Sequence, residues 1–259
     1  MSVEGLFSLK GKTAIVTGGG RGLGQQIAEI YADAGANVVV CSRNVEACQE
    51  ISETLKQKGA KSLALKCDVS NQEDIQYVVD ATMKEFGQID ILVNNSGTSW
   101  GAPALEMPED KWDKVMDINL KGVFLFSQAV GKIMKEQRSG KIINIASIAG
   151  IGGQDPLVMD AIGYSVSKGA VITLTKDLAV KLAPYNVHVN AIAPGFFPTK
   201  MTKVILGFSG QKILERTPAG RFGSDSDMKG PALFLASAAS DYVFGQVLAV
   251  DGGTTAGVQ

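Results

Sequence analysis

Seven short runs of aliphatic and β-branched residues punctuate the chain, at 12–17, 37–41, 62–66, 89–93, 141–146, 187–193 and 246–250. Each is apolar at consecutive positions instead of every second one, which is how strands read when both faces are covered. The stretches between them carry apolar residues at helical spacing, over 22–34, 45–58, 72–86, 109–136, 161–182 and 225–239. Gly35, Gly59, Gly87 and Pro184 stop several of these segments. Strand and helix therefore alternate, with connections long enough for crossover helices. The pattern predicts an α/β fold built on a doubly wound seven-stranded parallel sheet with helices on both faces. No internal repeat and no Pro, Gly and Ser-rich linker divides the chain, so residues 1–259 read as a single domain.

Composition narrows the classes of function. Of 259 residues, 45% are hydrophobic and 20% charged, enough apolar material for one large core. The 25 basic and 26 acidic residues nearly cancel and form no basic cluster, which argues against a nucleic-acid partner. Cys41, Cys48 and Cys67 are odd in number and contain no Cys-x-x-Cys, so neither a disulfide framework nor a metal site is expected, and a reducing cytoplasm fits. The opening residues lack a charged segment followed by an apolar one, and no apolar run reaches the roughly 18 residues of a spanning helix, so no membrane association is expected.

Candidate chemistry lies in two places. Directly after the first strand come Thr17, Gly18, Gly19, Gly20, Arg21, Gly22, Leu23 and Gly24, and a helix follows. Glycines there allow positive φ and a close backbone approach, so free N–H groups at the helix start can hold a pyrophosphate. The spacing is not Gly-x-Gly-x-x-Gly, nor does a lysine follow as in a triphosphate-binding loop. The second place is Tyr164 and Lys168, four residues apart and so on one helix face. A phenol there can exchange a proton with a substrate, and a neighbouring ammonium is expected to favour the phenolate. On its own this pair also occurs by chance. Rival chemistry lacks its parts: the single histidine, His188, falls inside a strand and reads as a packed residue, and no Gly-x-Ser-x-Gly is present.

Thr17-Gly18-x-x-x-Gly22-x-Gly24, Asn94-Asn95-Ser96-Gly97, Asn119, Ser147, Tyr164-x-x-x-Lys168 and Pro194-Gly195, in this order, resemble the short-chain dehydrogenase/reductase family over nearly the whole chain. Ser96 stands where that family usually has alanine. The resemblance implies a Rossmann-type fold and hydride exchange between a nicotinamide cofactor and a secondary alcohol or ketone. It assigns Tyr164 as acid/base, Lys168 as its electrostatic partner and ribose ligand, Ser147 as orienter of the substrate oxygen, and Asn119 as holder of a relay water. It places Gly18, Arg21, Gly22, Leu23, Gly24, Asn95, Gly97, Pro194 and Gly195 along the cofactor, brackets the adenine with Asp68 and Val69, and sets Phe197 and Thr199 against the carboxamide.

The second strand ends in Ser42 and Arg43 without an acid, where an acid would take a free ribose hydroxyl; Arg43, Ser42 and Arg21 instead suit a 2′-phosphate. NADP(H) is therefore expected, ahead of NAD(H). Segments 98–104, 150–163 and a lid over 196–216 are expected to shape the substrate side, with Ser99, Trp100, Gln154 and Met159 near substrate. Their wording is similar to the gluconate 5-dehydrogenase-like branch, which puts sugar acids or polyols first and 3-oxoacyl thioesters (of ACP or CoA) second. A non-catalytic nucleotide-binding subunit is the reading from another class. Helices 111–136 and 163–182 carry apolar residues on more than one face, and by resemblance a homotetramer is expected, with the tail 249–259 near another axis.

Overall fold

The computed structural model describes residues 2–257. A short helix, α1 (Val3–Phe7), precedes β1 (Thr13–Thr17), α2 (Gly22–Asp33), β2 (Asn37–Ser42), α3 (Val45–Gln57), β3 (Ser62–Lys66), α4 (Gln72–Phe86) and β4 (Ile91–Asn94). Then follow α5 (Glu109–Met116), α6 (Gly122–Gln137), β5 (Gly140–Ile145), α7 (Ile162–Leu182), β6 (Val187–Pro194), α8 (Lys203–Glu215), α9 (Lys229–Ala236) and β7 (Val247–Val250). All seven strands pair in parallel, in the order β3-β2-β1-β4-β5-β6-β7. The order reverses between β1 and β4, and it is outside the carboxyl ends of the strands at such a reversal that open sheets of this kind form their ligand crevice.

The unbroken apolar runs follow from this layering. Along β1 and β2, Ala14, Val16, Val38 and Val40 face a core shared with Ile27, Ala28, Tyr31 and Leu235 of α2 and α9. The residues between them, Ile15, Val39 and Cys41, face the opposite core, with Val78 and Val79 of α4 and Phe126, Val130 and Met134 of α6. Both faces are dry, so period-two alternation disappears. Local signals set the helix ends: Asn44 Oδ1 accepts from Ala47 N at 2.8 Å, Asn71 Oδ1 from Glu73 N at 2.8 Å, and Gly87 closes α4 at φ 74°.

Four expectations change. The helix expected over 109–136 is interrupted by a single wide turn, Asp117–Lys121, in which Gly122 N–H reaches Asp117 O five residues back. The helix expected over 225–239 is shortened to α9, because Asp227 turns its carboxylate back onto Ser224 N at 2.7 Å and Arg221, which holds 224–228 as a turn. The lid contains α8, whose pattern is blurred by Gly207 and Gly210. Helix α1 was not foreseen; it starts where Ser2 Oγ caps Gly5 N at 3.1 Å.

Beyond β5, a 3-10 turn at Ile148–Gly150 packs backbone to backbone on α7. A Cβ on Gly150 would stand 2.4 Å from Lys168 C and 2.5 Å from Gly169 N. Gly150→Ala should therefore force the turn and α7 apart and lower stability by about 1–3 kcal/mol. A melting temperature equal to the native one would contradict this crossing.

Candidate active site

Lys168 sets the geometry. It lies on α7 with only 4% of its surface exposed, and its Nζ donates to Ile145 O, at the last residue of β5, over 2.7 Å. Burial pushes the ammonium down to about 8. One turn earlier on the same face, Tyr164 places its ring centroid 5.7 Å from that Nζ. Ser147, two residues past β5, neighbours the phenol and caps the following turn by accepting from Ala149 N at 3.2 Å. Tyr164, Ser147 and Lys168 thus converge at the carboxyl edge of the sheet. The phenol itself departs from expectation: burial holds it above its ordinary value, the neighbouring Ser147 hydroxyl pulls it back only in part, and no lowering by the ammonium offsets this.

Asn119 occupies the wide turn between α5 and α6 and is fully buried. Its Oδ1 accepts from Thr98 N at 2.8 Å, and its Nδ2 donates to Thr98 O at 2.9 Å and to Ser167 Oγ at 3.0 Å. Both amide hydrogens are committed inside the protein, so the side chain cannot donate to a relay water. Gly97 leaves the floor open: a Cβ there would stand 3.5 Å from Asn119 Oδ1 and 3.8 Å from Lys168 Nζ.

The glycine loop fits an anionic dinucleotide. Helices α3 and α4 begin with asparagine caps and acids in their first turns, whereas α2 has neither a side-chain cap at Arg21 nor an acid among Gly22, Leu23 and Gly24. Its first N–H groups and positive dipole end are thus left for a phosphate. Gly18 and Gly22 have φ of 63° and 55°. Gly24 is needed for packing, since a Cβ would meet Asn95 Nδ2 and Gly18 O at 2.4 Å. Asn95 proves to be a brace for this loop, donating from Nδ2 to Thr17 O at 2.9 Å and Gly18 O at 3.2 Å.

At the adenosine end, Arg21 and Arg43 are exposed. Ser42 is not free as a donor: its hydroxyl bonds Asn44 O at 2.7 Å. Asp68 accepts from Ser70 N and Oγ; burial pushes its carboxyl up, but these bonds and the charges of Arg43 and Lys114 outweigh it and hold it below its ordinary value. Val69 is buried beneath it, in contact range of Gly122. Pro194 ends β6, and Gly195 allows the strand to pass Asp251, whose Cα would lie 2.8 Å from an added Cβ.

The three substrate-side segments touch one another. Ala102 N bonds Asp160 O at 3.0 Å beside a one-residue bridge from Ala102 to Ala161. The second segment is tied to the lid by Asp155 to Arg216 at 2.8 Å and by Ser209 Oγ to Leu157 O at 3.0 Å. Trp100 is exposed at the rim with Lys111 Nζ 5.0 Å over its ring; Ser99, Met159 and Gln154 are half-buried, and Gln154 folds onto Gly152 O. Thr199 approaches Gly22, its Cγ2 lying 3.5 Å from an added Cβ. Phe197 does not reach the cleft with its ring, which is buried in the core against Gly223. His188 stacks on Phe244 at 4.1 Å, and burial pushes it down to about 4, as fits a packed strand residue. Among the described residues no cluster of three or more His, Cys, Asp or Glu is placed to hold a metal.

The buried ammonium gives a pH signature. The unfolded chain keeps that proton up to 10.5 while the folded chain releases it near 8, so the folded state is penalised in full below pH 8 and the penalty fades as pH rises to 10.5. Lys168→Met removes the penalty. Its stability relative to the native protein should therefore fall by roughly 3 kcal/mol between those pH values, on top of a constant cost for the lost bond to Ile145. Denaturant titrations across pH measure this; a pH-independent difference would contradict it.

Comparison with known proteins agrees with this geometry. A sequence model of the family described as "Enoyl-(Acyl carrier protein) reductase" matches residues 18–255. The chain is 40% identical over 251 residues to the 5-keto-D-gluconate 5-reductase of Escherichia coli (strain K12), covering 96% of this chain and 97% of that protein. It is 44% identical over 249 residues to the 2-dehydro-3-deoxy-D-gluconate 5-dehydrogenase of Bacillus subtilis (strain 168), covering 95% and 96%. The crystal structure of a gluconate 5-dehydrogenase from Burkholderia cenocepacia J2315 in complex with NADP and tartrate superposes with a TM-score of 0.93 at 38% identity, over 99% of this chain and 100% of that one. With the glycine loop, the buried lysine and the Tyr164–Ser147 pair on one sheet edge, and relatives matched from end to end, this chain belongs to the short-chain dehydrogenase/reductase family of oxidoreductases.

Proposed function

We propose that the protein interconverts a secondary alcohol and a ketone on a sugar acid of the gluconate/5-ketogluconate type, with NADP(H) as cofactor. The observation that carries the reaction is the convergence of Tyr164, Ser147 and Lys168 at the sheet edge that also presents the uncapped start of α2. The sugar-acid assignment is supported by the names of the relatives, each near 40% identity over the full length.

When bound, NADP(H) supplies the hydride acceptor or donor and, in its oxidised form, a positive charge. The residues supply the rest. Held protonated by burial, Tyr164 gives its proton to the ketone oxygen in reduction and recovers it from the alcohol in oxidation. Ser147 Oγ donates a hydrogen bond to the same oxygen, and Lys168 stabilises the phenolate as it forms and faces the nicotinamide ribose. With both hydrogens of the Asn119 amide committed, that side chain is left a positioning role at the site instead of the donor to a relay water. Gly18, Gly22, Leu23 and Gly24 hold the pyrophosphate, Asp68 and Val69 border the adenine, Thr199 closes over the loop, and Arg43 with Arg21 takes the 2′-phosphate. Ser99, Trp100, Gln154 and Met159 surround the sugar acid. The three buried thiols suit the cytoplasm, where they stay reduced; among the described residues no helix is long and apolar enough to cross a membrane.

Tyr164→Phe keeps the ring's packing and removes the proton, so turnover should drop at least about a hundredfold with cofactor affinity nearly unchanged. NADPH oxidation assayed against sugar ketoacids, polyol-derived ketones and 3-oxoacyl thioesters tests the substrate; activity confined to the thioesters would overturn the sugar-acid reading.

NADP(H) should exceed NAD(H) by about tenfold or more in kcat/KM, through charge-assisted bonds to the 2′-phosphate. Ser42→Asp with Arg43→Leu should invert that preference, because repulsion then replaces attraction. A native preference for NAD(H) would show that Arg43 plays no part.

Exposed Phe124 on α6 and Val166 and Val180 on α7 leave an apolar surface on two long helices. We assign these to the contacts of a homotetramer; the last two residues of the tail expected near another axis lie outside the described residues. Sedimentation at micromolar concentration should give four chains, and a monomer would contradict it.

A further inference from the structure

Ser167 lies between Tyr164 and Lys168 on α7 and has no solvent exposure. Its hydroxyl has two committed partners. It donates to Tyr164 O at 2.7 Å and accepts from Asn119 Nδ2 at 3.0 Å. Asn119 in turn closes both its remaining bonds on the backbone of one residue, donating to Thr98 O at 2.9 Å and accepting from Thr98 N at 2.8 Å. The chain of bonds Thr98–Asn119–Ser167–Tyr164 therefore links the loop after β4, the wide turn between α5 and α6, and the backbone of Tyr164 itself. Each of these three segments is irregular or glycine-flanked where it meets the others, so no continuous ladder of backbone bonds fixes their relative positions. A single buried hydroxyl is what α7 contributes to the junction.

We propose that Ser167 is a positioning residue: through its hydroxyl, the Asn119 amide fixes where Tyr164 stands relative to the floor formed by Gly97 and Lys168. Removal of the hydroxyl leaves a buried amide hydrogen of Asn119 without a partner, and buried unpaired donors are costly enough to drive a local rearrangement. The wide turn is the segment free to rearrange, since its five-residue hydrogen-bond spacing is already a departure from the helix on either side. A displacement of Tyr164 by a fraction of an ångström acts on the proton-transfer geometry and so on kcat, while the phosphate and adenosine contacts, made by the glycine loop and the ends of β2 and β3, are left in place.

The inference rests on Tyr164 acting as the acid/base. Ser167→Ala should reduce kcat at least about tenfold while KM for NADPH stays within about twofold. Ser167→Thr, which keeps the hydroxyl, should recover most of the loss. Asn119→Ala and Ser167→Ala should be strongly non-additive, the double variant being no worse than the poorer single one, because both cut the same chain of bonds. If Ser167→Ala fails to bind NADPH and is therefore misfolded, Ser167→Cys, which preserves volume but bonds weakly, takes its place with the same expectation. Unchanged kcat, additive losses, or equal losses in Ala and Thr variants would each overturn the proposal. If Tyr164→Phe retains turnover, it is the reading of the active site that fails; if Tyr164→Phe is inactive and Ser167→Ala is fully active, only the role of Ser167 fails.

Discussion

A lysine ammonium buried at the end of a strand is the constraint on which the rest of this structure depends. Lys168 is expelled from water by α7 and satisfied at Ile145 O, and its depressed proton affinity shows the cost of holding charge there. Keeping that cation in place requires α7 to lie close on the strand exit, which is why Gly150 has no room for a side chain against the Lys168 backbone. It also requires a polar floor, supplied by Asn119 and left open by Gly97. A fold selected for stability alone would place an aliphatic side chain at 168; the charge there fits the proton-transfer role proposed for this site.

The phenol illustrates how environment and partner compete. Proximity of an ammonium favours the phenolate, yet the same burial that defines the cleft favours the neutral form, and in the protein frame burial wins. The resting site is therefore an acid in waiting, suited to protonating a ketone oxygen. Its counterpart at the other end of the crevice is the start of α2. There the absence of cap and acid, in contrast with α3 and α4, leaves a positive backbone field for phosphate. Asn95, read from sequence as a cofactor neighbour, works one step back, bracing the loop that forms this field.

On the substrate side, three segments distant in sequence become one rim through bonds that carry no sequence signature: a single-residue bridge between Ala102 and Ala161, and an ion pair from Asp155 to Arg216. The exposed ion pair contributes little to stability and much to where the lid rests. Phe197 shows the opposite outcome. Its place in the lid suggested a contact in the cleft, but the cavity over Gly223 is the larger gain for an apolar ring, and it packs there.

The sequence by itself determined an α/β fold with a parallel sheet, because strands buried on both faces must be apolar at every position and the amphipathic helices between them supply the crossovers. It also showed that Tyr164 and Lys168 share a helix face, although only the ordered set of motifs around them, not that spacing, pointed to proton transfer, and it showed the glycine loop, since only glycine tolerates its φ values and close approaches. The tertiary structure decided everything that depends on partners remote in the chain. Whether Asn119 keeps a free hydrogen, where the ring of Phe197 goes and which way burial moves the phenol are settled by groups well over ten residues away. The wide turn at Asp117–Lys121 belongs to the same class: its sequence is helical throughout, and it is the bonds of Asn119 to Thr98 and Ser167, made only after folding, that hold one residue too many in the turn.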